Sequence, residues 1–157
     1  MKNISFKSIL LETAVCAIAC DGHIDEREIE ALKSIEKSSP YFSSEDLSKI
    51  LDKSLKKASL DINEFKNSVF EKIKKEELNL LQQLSLVEIS LRIISADNIE
   101  EEAEKEFMIE LRNHLSISDL ILYQRFGKIE YLGILDFEEN FVNFKKTENP
   151  LDQTELK

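Results

Sequence analysis

Glycine and proline, the residues that most often build turns, are scarce in this chain of 157 residues, which has three glycines and two prolines. An all-β domain reverses direction every few residues and uses many of both. Leucine, glutamate and lysine, which favour helices, are abundant instead. Apolar residues recur at helical spacing along most of the chain. The sequence therefore predicts an all-α fold, a compact bundle of about seven to eight helices.

The expected helices are separated by recognisable start and stop signals. The first covers about residues 5–20 and ends at Asp21-Gly22, and the fifth, over about residues 76–96, is the most apolar and is expected to be central. Asp61 and Glu64 have the spacing of a capping box that opens the fourth helix. A stripe at i, i+4 and i+7 predicts an eighth, docked amphipathic helix around residues 137–144. We expect one domain over residues 1–144 and a disordered tail over residues 145–157.

The formal net charge of −10 restricts the possible partners. A chain this acidic repels phosphate backbones and anionic lipid surfaces, so nucleic acid is not expected as a partner. Cations and basic protein surfaces remain. The longest apolar runs are shorter than the ~20 residues of a membrane span, and Glu12 interrupts the N-terminal run, so neither membrane insertion nor a signal peptide is expected. These features predict a cytoplasmic protein.

An internal repeat is the most informative pattern in the sequence. Residues 12–28 and 88–104 align without gaps, and four acidic pairs then coincide: Glu12 with Glu88, Asp21 with Asp97, Asp25 with Glu101, and Glu28 with Glu104. Gly22 coincides with Asn98, and both residue types tolerate left-handed backbone at a helix end. A gap that matches Ile24 with Ile99 would misalign the last pair, so the Glu–x8–Asp match is the stronger part. The repeat predicts two pseudo-symmetric halves, with the first and fifth helices antiparallel at the centre.

The duplicated acids have two interpretations. Carboxylate oxygens are ligands of hard cations such as calcium, magnesium and manganese, and several must converge to hold one ion. Asp25 and Glu28 equally have the spacing of a capping box, as Asp61 and Glu64 do. Capping fits Glu12 and Glu88 less well, because they lie inside helices among apolar residues, where a buried acid needs a partner. We expect each of these two glutamates to approach the acidic loop of the opposite half.

The first acidic loop also carries a family resemblance. Residues 17–28 read Ala-Ile-Ala-Cys-Asp-Gly-His-Ile-Asp-Glu-Arg-Glu, and Leu32 follows. This string resembles the A-x-A-D-G-x-I-x-x-x-E-x3-L hallmark of the TerB-like tellurite-resistance family. Ala96-Asp97-Asn98, with Glu104 and the later Leu-Ser-Ile-Ser at residues 115–118, is similar to the second half of that family. The resemblance covers about residues 5–125, and Asn98 in place of glycine and the displaced Ile99 depart from it.

The resemblance implies an all-helical domain of about seven helices with an acidic cluster that binds metal. The metal ligands that it implies, carried over by position, are Glu12, Asp21, Asp25, Glu28, Glu88, Asp97 and Glu104. It further implies a divalent cation (calcium, manganese or magnesium) and a protein partner in a membrane-associated stress-response complex. The function it predicts is a non-catalytic metal-binding or protein-interaction module. A purely structural helical adaptor without an ion is the alternative.

Groups suited to catalysis are few in this sequence. It offers no glycine-rich phosphate loop and no serine or cysteine nucleophile beside an evident base, and histidine is too scarce for a typical metal-dependent hydrolase. Cys16 and Cys20, four residues apart, are predicted to be small buried side chains. His23 is interpreted as a loop residue, with ligation beside Cys20 or Asp25 as the alternative. We therefore expect that the chain is not an enzyme.

Overall fold

A computed structural model of the chain describes residues 6–38, 46–97 and 102–134. The helices are α1 (Phe6–Ala19), α2 (Glu26–Ser38), α3 (Asp46–Leu60), α4 (Ile62–Lys75), α5 (Leu80–Ile94), α6 (Glu102–Asn113) and α7 (Asp119–Phe126), with 3-10 turns at Ser95–Asp97 and Glu130–Leu132. No β-strand occurs within these ranges, so the all-α prediction is confirmed. The predicted eighth helix around residues 137–144 and the predicted tail over residues 145–157 lie outside the described residues.

The contacts within the chain group into two units, residues 1–116 and residues 117–157. The first unit contains α1 to α6. In the second, Ser118 caps α7 by accepting a hydrogen bond from the Ile121 N–H at 3.3 Å, and Gly127 ends the helix. The backbones of Ile129 and Ile134 then exchange two hydrogen bonds of 2.8 and 3.0 Å, which close the short 3-10 turn between them.

Helix α1 is the centre of the first unit. It contacts α2, α3, α4, α5 and α6, and the segment from Leu10 to Ala19 is buried at every position except Glu12. Its small residues Ala14 and Ala17 let neighbouring helices approach closely. The sequence predicted α5 as the central helix, and α5 does contact α1, α2 and α6. Helix α1 is more completely buried because its surface is apolar on nearly all sides, whereas a helix with a single apolar face buries only that face.

Two helix starts show how local sequence fixes the boundaries. Asp61 caps α4 by accepting a hydrogen bond from the Glu64 N–H at 3.1 Å, as its spacing predicted. Asn79 and Gln82 form a reciprocal capping box at the start of α5, with hydrogen bonds of 2.8 and 2.9 Å. The apolar pattern of the sequence predicted this helix start several residues earlier, at Glu76. The capping box explains the difference, because it satisfies backbone N–H groups that would otherwise lack an acceptor at the helix start.

The two halves follow the ungapped alignment of the repeat. Helix α2 begins at residue 26 and α6 begins at residue 102, the same offset that separates Glu28 from Glu104. Both glutamates are therefore the third residue of their helix, and both are buried. In addition, α1 packs against α5, as the repeat predicted. The gapped alternative would have placed the two glutamates at different helical positions.

Candidate functional site

Glu12 lies inside α1 with its side chain 14% exposed, and it forms an ion pair with Lys72 of α4. The Lys72 ammonium donates to both carboxylate oxygens, at 2.9 and 3.1 Å. A nearly buried carboxylate needs such a partner, since removing a charge from water is costly. This pair joins two neighbouring helices across the bundle. Glu12 thus has the partner that its position required, and that partner is a lysine of the same half.

Glu88, the repeat equivalent of Glu12, has a different environment. Its carboxylate is 32% exposed and pairs with Arg92 one turn later in α5, at 2.9 Å. An i, i+4 pair of this kind on a helix surface contributes only about 0.3–0.5 kcal/mol. The two glutamates match in sequence position, yet one links two helices and the other pairs within its own helix.

The loop after α1 positions Asp21 and Asp25 by local hydrogen bonds. Asp21 Oδ1 accepts from the His23 N–H at 2.9 Å, and His23 itself is exposed. Asp25 precedes α2 and accepts from the Arg27 N–H at 2.7 Å and from its guanidinium at 3.2 Å. The side-chain hydrogen bond from Arg27 is the main cause that lowers the pKa of Asp25 below its usual 3.8. Asp25 therefore acts as the cap of α2, which is the second of its two interpretations.

Glu28 and Glu104 are the two predicted ligands that the fold buries, with 3% and 4% exposure. Their charges, together with that of Asp21, contribute to raising the pKa of the Cys20 thiol just after α1. Burial is the largest cause, followed by Glu104, Asp21 and Glu28, and the pKa rises from 9.0 to about 12. We call Asp21, Glu28 and Glu104 the acidic junction, since these acids come from both repeats and all three act electrostatically on Cys20.

The acidic junction fits a metal ion by its donor type, because carboxylate oxygens are what calcium and manganese prefer. The spatial grouping of the candidate ligands is less favourable. Within residues 6–38, 46–97 and 102–134, no three His, Cys, Asp or Glu side chains are grouped closely enough to hold an ion. The side chain of Asp97, the seventh predicted ligand, lies outside the described part of the chain, as does the whole of Glu101. The other six predicted ligands are spread over the Lys72 pair, the Arg92 pair, the α2 cap and the junction.

The two cysteines differ in exposure: Cys16 is buried, as predicted, whereas Cys20 is only partly buried. Cys16 is fully buried, and burial is the main cause that raises its pKa. The Cys20 thiol donates a hydrogen bond to the Ala17 carbonyl oxygen at 3.3 Å. Because nucleophilic attack requires the thiolate, these raised pKa values disfavour a nucleophilic role near neutral pH.

Long-range polar contacts that no sequence pattern predicted complete the first unit. Lys66 of α4 pairs with Glu110 of α6 at 2.8 Å. His114 stacks on Phe70 with a ring separation of 4.3 Å, and its Nδ1 lies 2.8 Å from the Glu110 carbonyl oxygen. A carbonyl only accepts, so Nδ1 carries the proton in this arrangement. The Lys66–Glu110 and Phe70–His114 contacts each join residues 44 positions apart, so spacing along one helix contains no signal for them.

Among the described residues, no helix is both long enough and apolar enough to cross a membrane. We compared the chain with protein-family models, with curated proteins and with solved structures, and no match was found in any of the three. The similarity to the TerB-like family therefore rests on the residues of the first loop and its repeat, and it stays a prediction.

Proposed function

We propose that this chain is a non-catalytic binding module of the kind that the TerB-like resemblance implies, and that its acidic junction receives a positively charged ligand. The observation that carries the proposal is the burial of Glu28 and Glu104 and their shared electrostatic effect on Cys20, just after α1. They come from opposite repeats, both are buried, and both act electrostatically on Cys20 together with Asp21. Negative charge gathered in this way lowers the free energy of a nearby cation.

Two sources could supply that positive charge. One is a divalent cation, with calcium, manganese or magnesium suited to carboxylate oxygens. The other is a lysine or arginine of a protein partner, which the stress-response context of the TerB-like family suggests. A cytoplasmic location and a protein partner in a membrane-associated complex, both predicted from the sequence, are part of what we propose. The protonated thiols of Cys16 and Cys20 support a role in binding rather than in catalysis.

The alternative function is a structural helical adaptor without an ion. It is favoured by the structural use of three predicted ligands: Glu12 pairs with Lys72, Glu88 pairs with Arg92, and Asp25 caps α2. In that case the acidic residues stabilise and solubilise the bundle, and no cation would change its stability specifically.

A melting experiment with two arms separates these possibilities. In the first arm, calcium, manganese or magnesium chloride is added, with sodium chloride at equal ionic strength as the reference. A cation that binds only the folded protein raises the melting temperature progressively, by an amount equivalent to about 2.7 kcal/mol at 100 times Kd. In the second arm, a nine-residue arginine peptide replaces the cation.

Variants locate the response on the molecule. Asp21→Asn and Glu104→Gln should reduce the shift at least severalfold, because each removes a junction charge. Glu71→Gln, an exposed acid of α4, serves as the matched control and should leave the shift unchanged. A shift with the metal alone identifies a cation site, and a shift with the peptide alone identifies a partner site. If neither arm differs from sodium chloride, the adaptor replaces this proposal.

A further inference from the structure

The α3–α4 hairpin, residues 46–75, differs in charge from the rest of this acidic chain. It contains eight lysines against five acidic residues, although the whole chain has a net charge of −10. Two of the lysines form ion pairs with other helices of the bundle, Lys66 with Glu110 and Lys72 with Glu12. The remaining basic groups include four neighbouring lysines on α3.

Those four lysines share one face of α3. At 100° per residue, Lys49, Lys53, Lys56, Lys57 and Leu60 fall within an arc of about 100°. The opposite arc holds Leu51, Ser54 and Ala58, which are buried in the bundle. All four lysines are exposed, and none of them forms an ion pair with the residues that the structure describes. We call this surface the lysine face; it extends about 16 Å along the helix.

An apolar end distinguishes the lysine face from an ordinary solvated helix surface. Leu60, the last residue of α3, is 80% exposed, the most exposed large apolar side chain among the described residues. It borders a recess of about 270 Å³ with a mixed lining, in which the apolar residues are Ala19, Ile24, Ala58 and Ile62 and the polar ones are Ser59 and Asp61. The lysine face thus ends at an exposed leucine, beside a recess that could hold an apolar side chain.

We propose that the lysine face and its apolar end bind an acidic amphipathic helix of a partner protein. Carboxylates at i, i+4 and i+7 of that helix match the lysine spacing, and an apolar residue at its end fills the recess beside Leu60. Charge complementarity sets the orientation and speeds association, and the buried apolar residue slows dissociation. At physiological salt, charges beyond about 8 Å are screened, so the local lysines outweigh the net charge of the whole chain. This proposal does not depend on a ligand at the acidic junction.

The test uses the full chain and a fluorescein-labelled 16-residue helical peptide with glutamates at that spacing and one terminal leucine. We expect anisotropy to report binding that weakens as sodium chloride rises. Lys53→Glu with Lys57→Glu should weaken it at least tenfold. The matched control, Lys74→Glu with Lys75→Glu, makes the same charge change at exposed positions of α4 and should alter the affinity less than twofold.

The apolar end has its own matched pair of variants. Leu60→Ser should weaken peptide binding severalfold, whereas Leu81→Ser, at a leucine of α5 that is 66% exposed, should not. Equal losses in the two lysine pairs, or no binding at all, would overturn the proposal. Tighter binding of vesicles with 30% anionic phospholipid, of a 20-base-pair DNA, or of a second copy in sedimentation would also overturn it.

Discussion

Glu12 and Glu88 show what residue identity alone leaves open. Each lies in the middle of an apolar helix and nine positions before an aspartate, so sequence reasoning treats them alike. In the structure Glu12 reaches Lys72 of another helix, whereas Glu88 pairs with Arg92 of its own. The difference matters energetically, because the Glu12 side chain is 14% exposed and the Glu88 side chain is 32% exposed. A nearly buried carboxylate depends on its partner more than a surface one does.

Replacing Lys72 tests that dependence. Lys72→Met should lower the free energy of unfolding by about 1–2 kcal/mol, because it leaves the Glu12 carboxylate largely out of water without its ammonium. Arg92→Met, the equivalent change at the exposed pair, should cost less than about 0.5 kcal/mol. Urea denaturation measures both values. Adding Glu12→Gln to Lys72→Met should recover part of the loss, and additive losses in this cycle would contradict the pairing.

The thiol of Cys20 gives a prediction on pH. Its pKa is about 12 in the folded protein, and the unfolded chain should titrate near the ordinary 9.0. The folded state then retains a proton that the unfolded state releases. The contribution of Cys20 to the free energy of unfolding is therefore fully present below pH 9 and is lost between about pH 9 and 12. Cys20→Ser removes this contribution and should flatten the decrease relative to the unmodified chain. Thermal melts at intervals from pH 7 to 11 measure it, and parallel curves for the two proteins would contradict the raised pKa.

At the scale of elements, the signals that begin and end helices were the most readable part of the sequence. Asp61 caps α4 and Asp21-Gly22 ends α1 as predicted, and Ser118 caps α7 by the same local chemistry. The start of α5 was predicted too early because a continuous apolar pattern conceals a boundary that only the Asn79 cap sets. Capping is local chemistry between residues three apart, so the sequence contains it whenever the capping residues are recognised.

Gly22 provides a test of one such boundary. Its φ is +86°, and a Cβ placed there would meet no atom within 4 Å, so any cost of a side chain comes from the backbone alone. Gly22→Ala should destabilise the protein by about 1 kcal/mol in urea denaturation. Gly22→Asn should cost less, because asparagine tolerates left-handed backbone better than alanine. Equal effects of the two variants would contradict this explanation.

At the scale of the whole molecule, charge is distributed unevenly among the elements. Glu28 and Glu104, near the starts of α2 and α6, both act electrostatically on Cys20, whereas α3 presents four exposed lysines with an exposed leucine at its end. The net charge of −10 conceals this difference, because it is a sum over the whole chain. The two proposed ligands therefore have opposite charge, and each is tested on variants that leave the other surface unchanged.

Residue types and spacing were enough to predict the helical class, the end of α1, the start of α4 and the ungapped alignment as the stronger form of the repeat. These properties depend on residue type and on spacing within a few turns, which one chain shows directly. The tertiary structure alone decided which acids meet, because a contact such as Glu12 with Lys72 joins residues that no local spacing connects. It also decided that Glu28 and Glu104 are both buried and both act electrostatically on Cys20, since this depends on how α1 lies among five other helices.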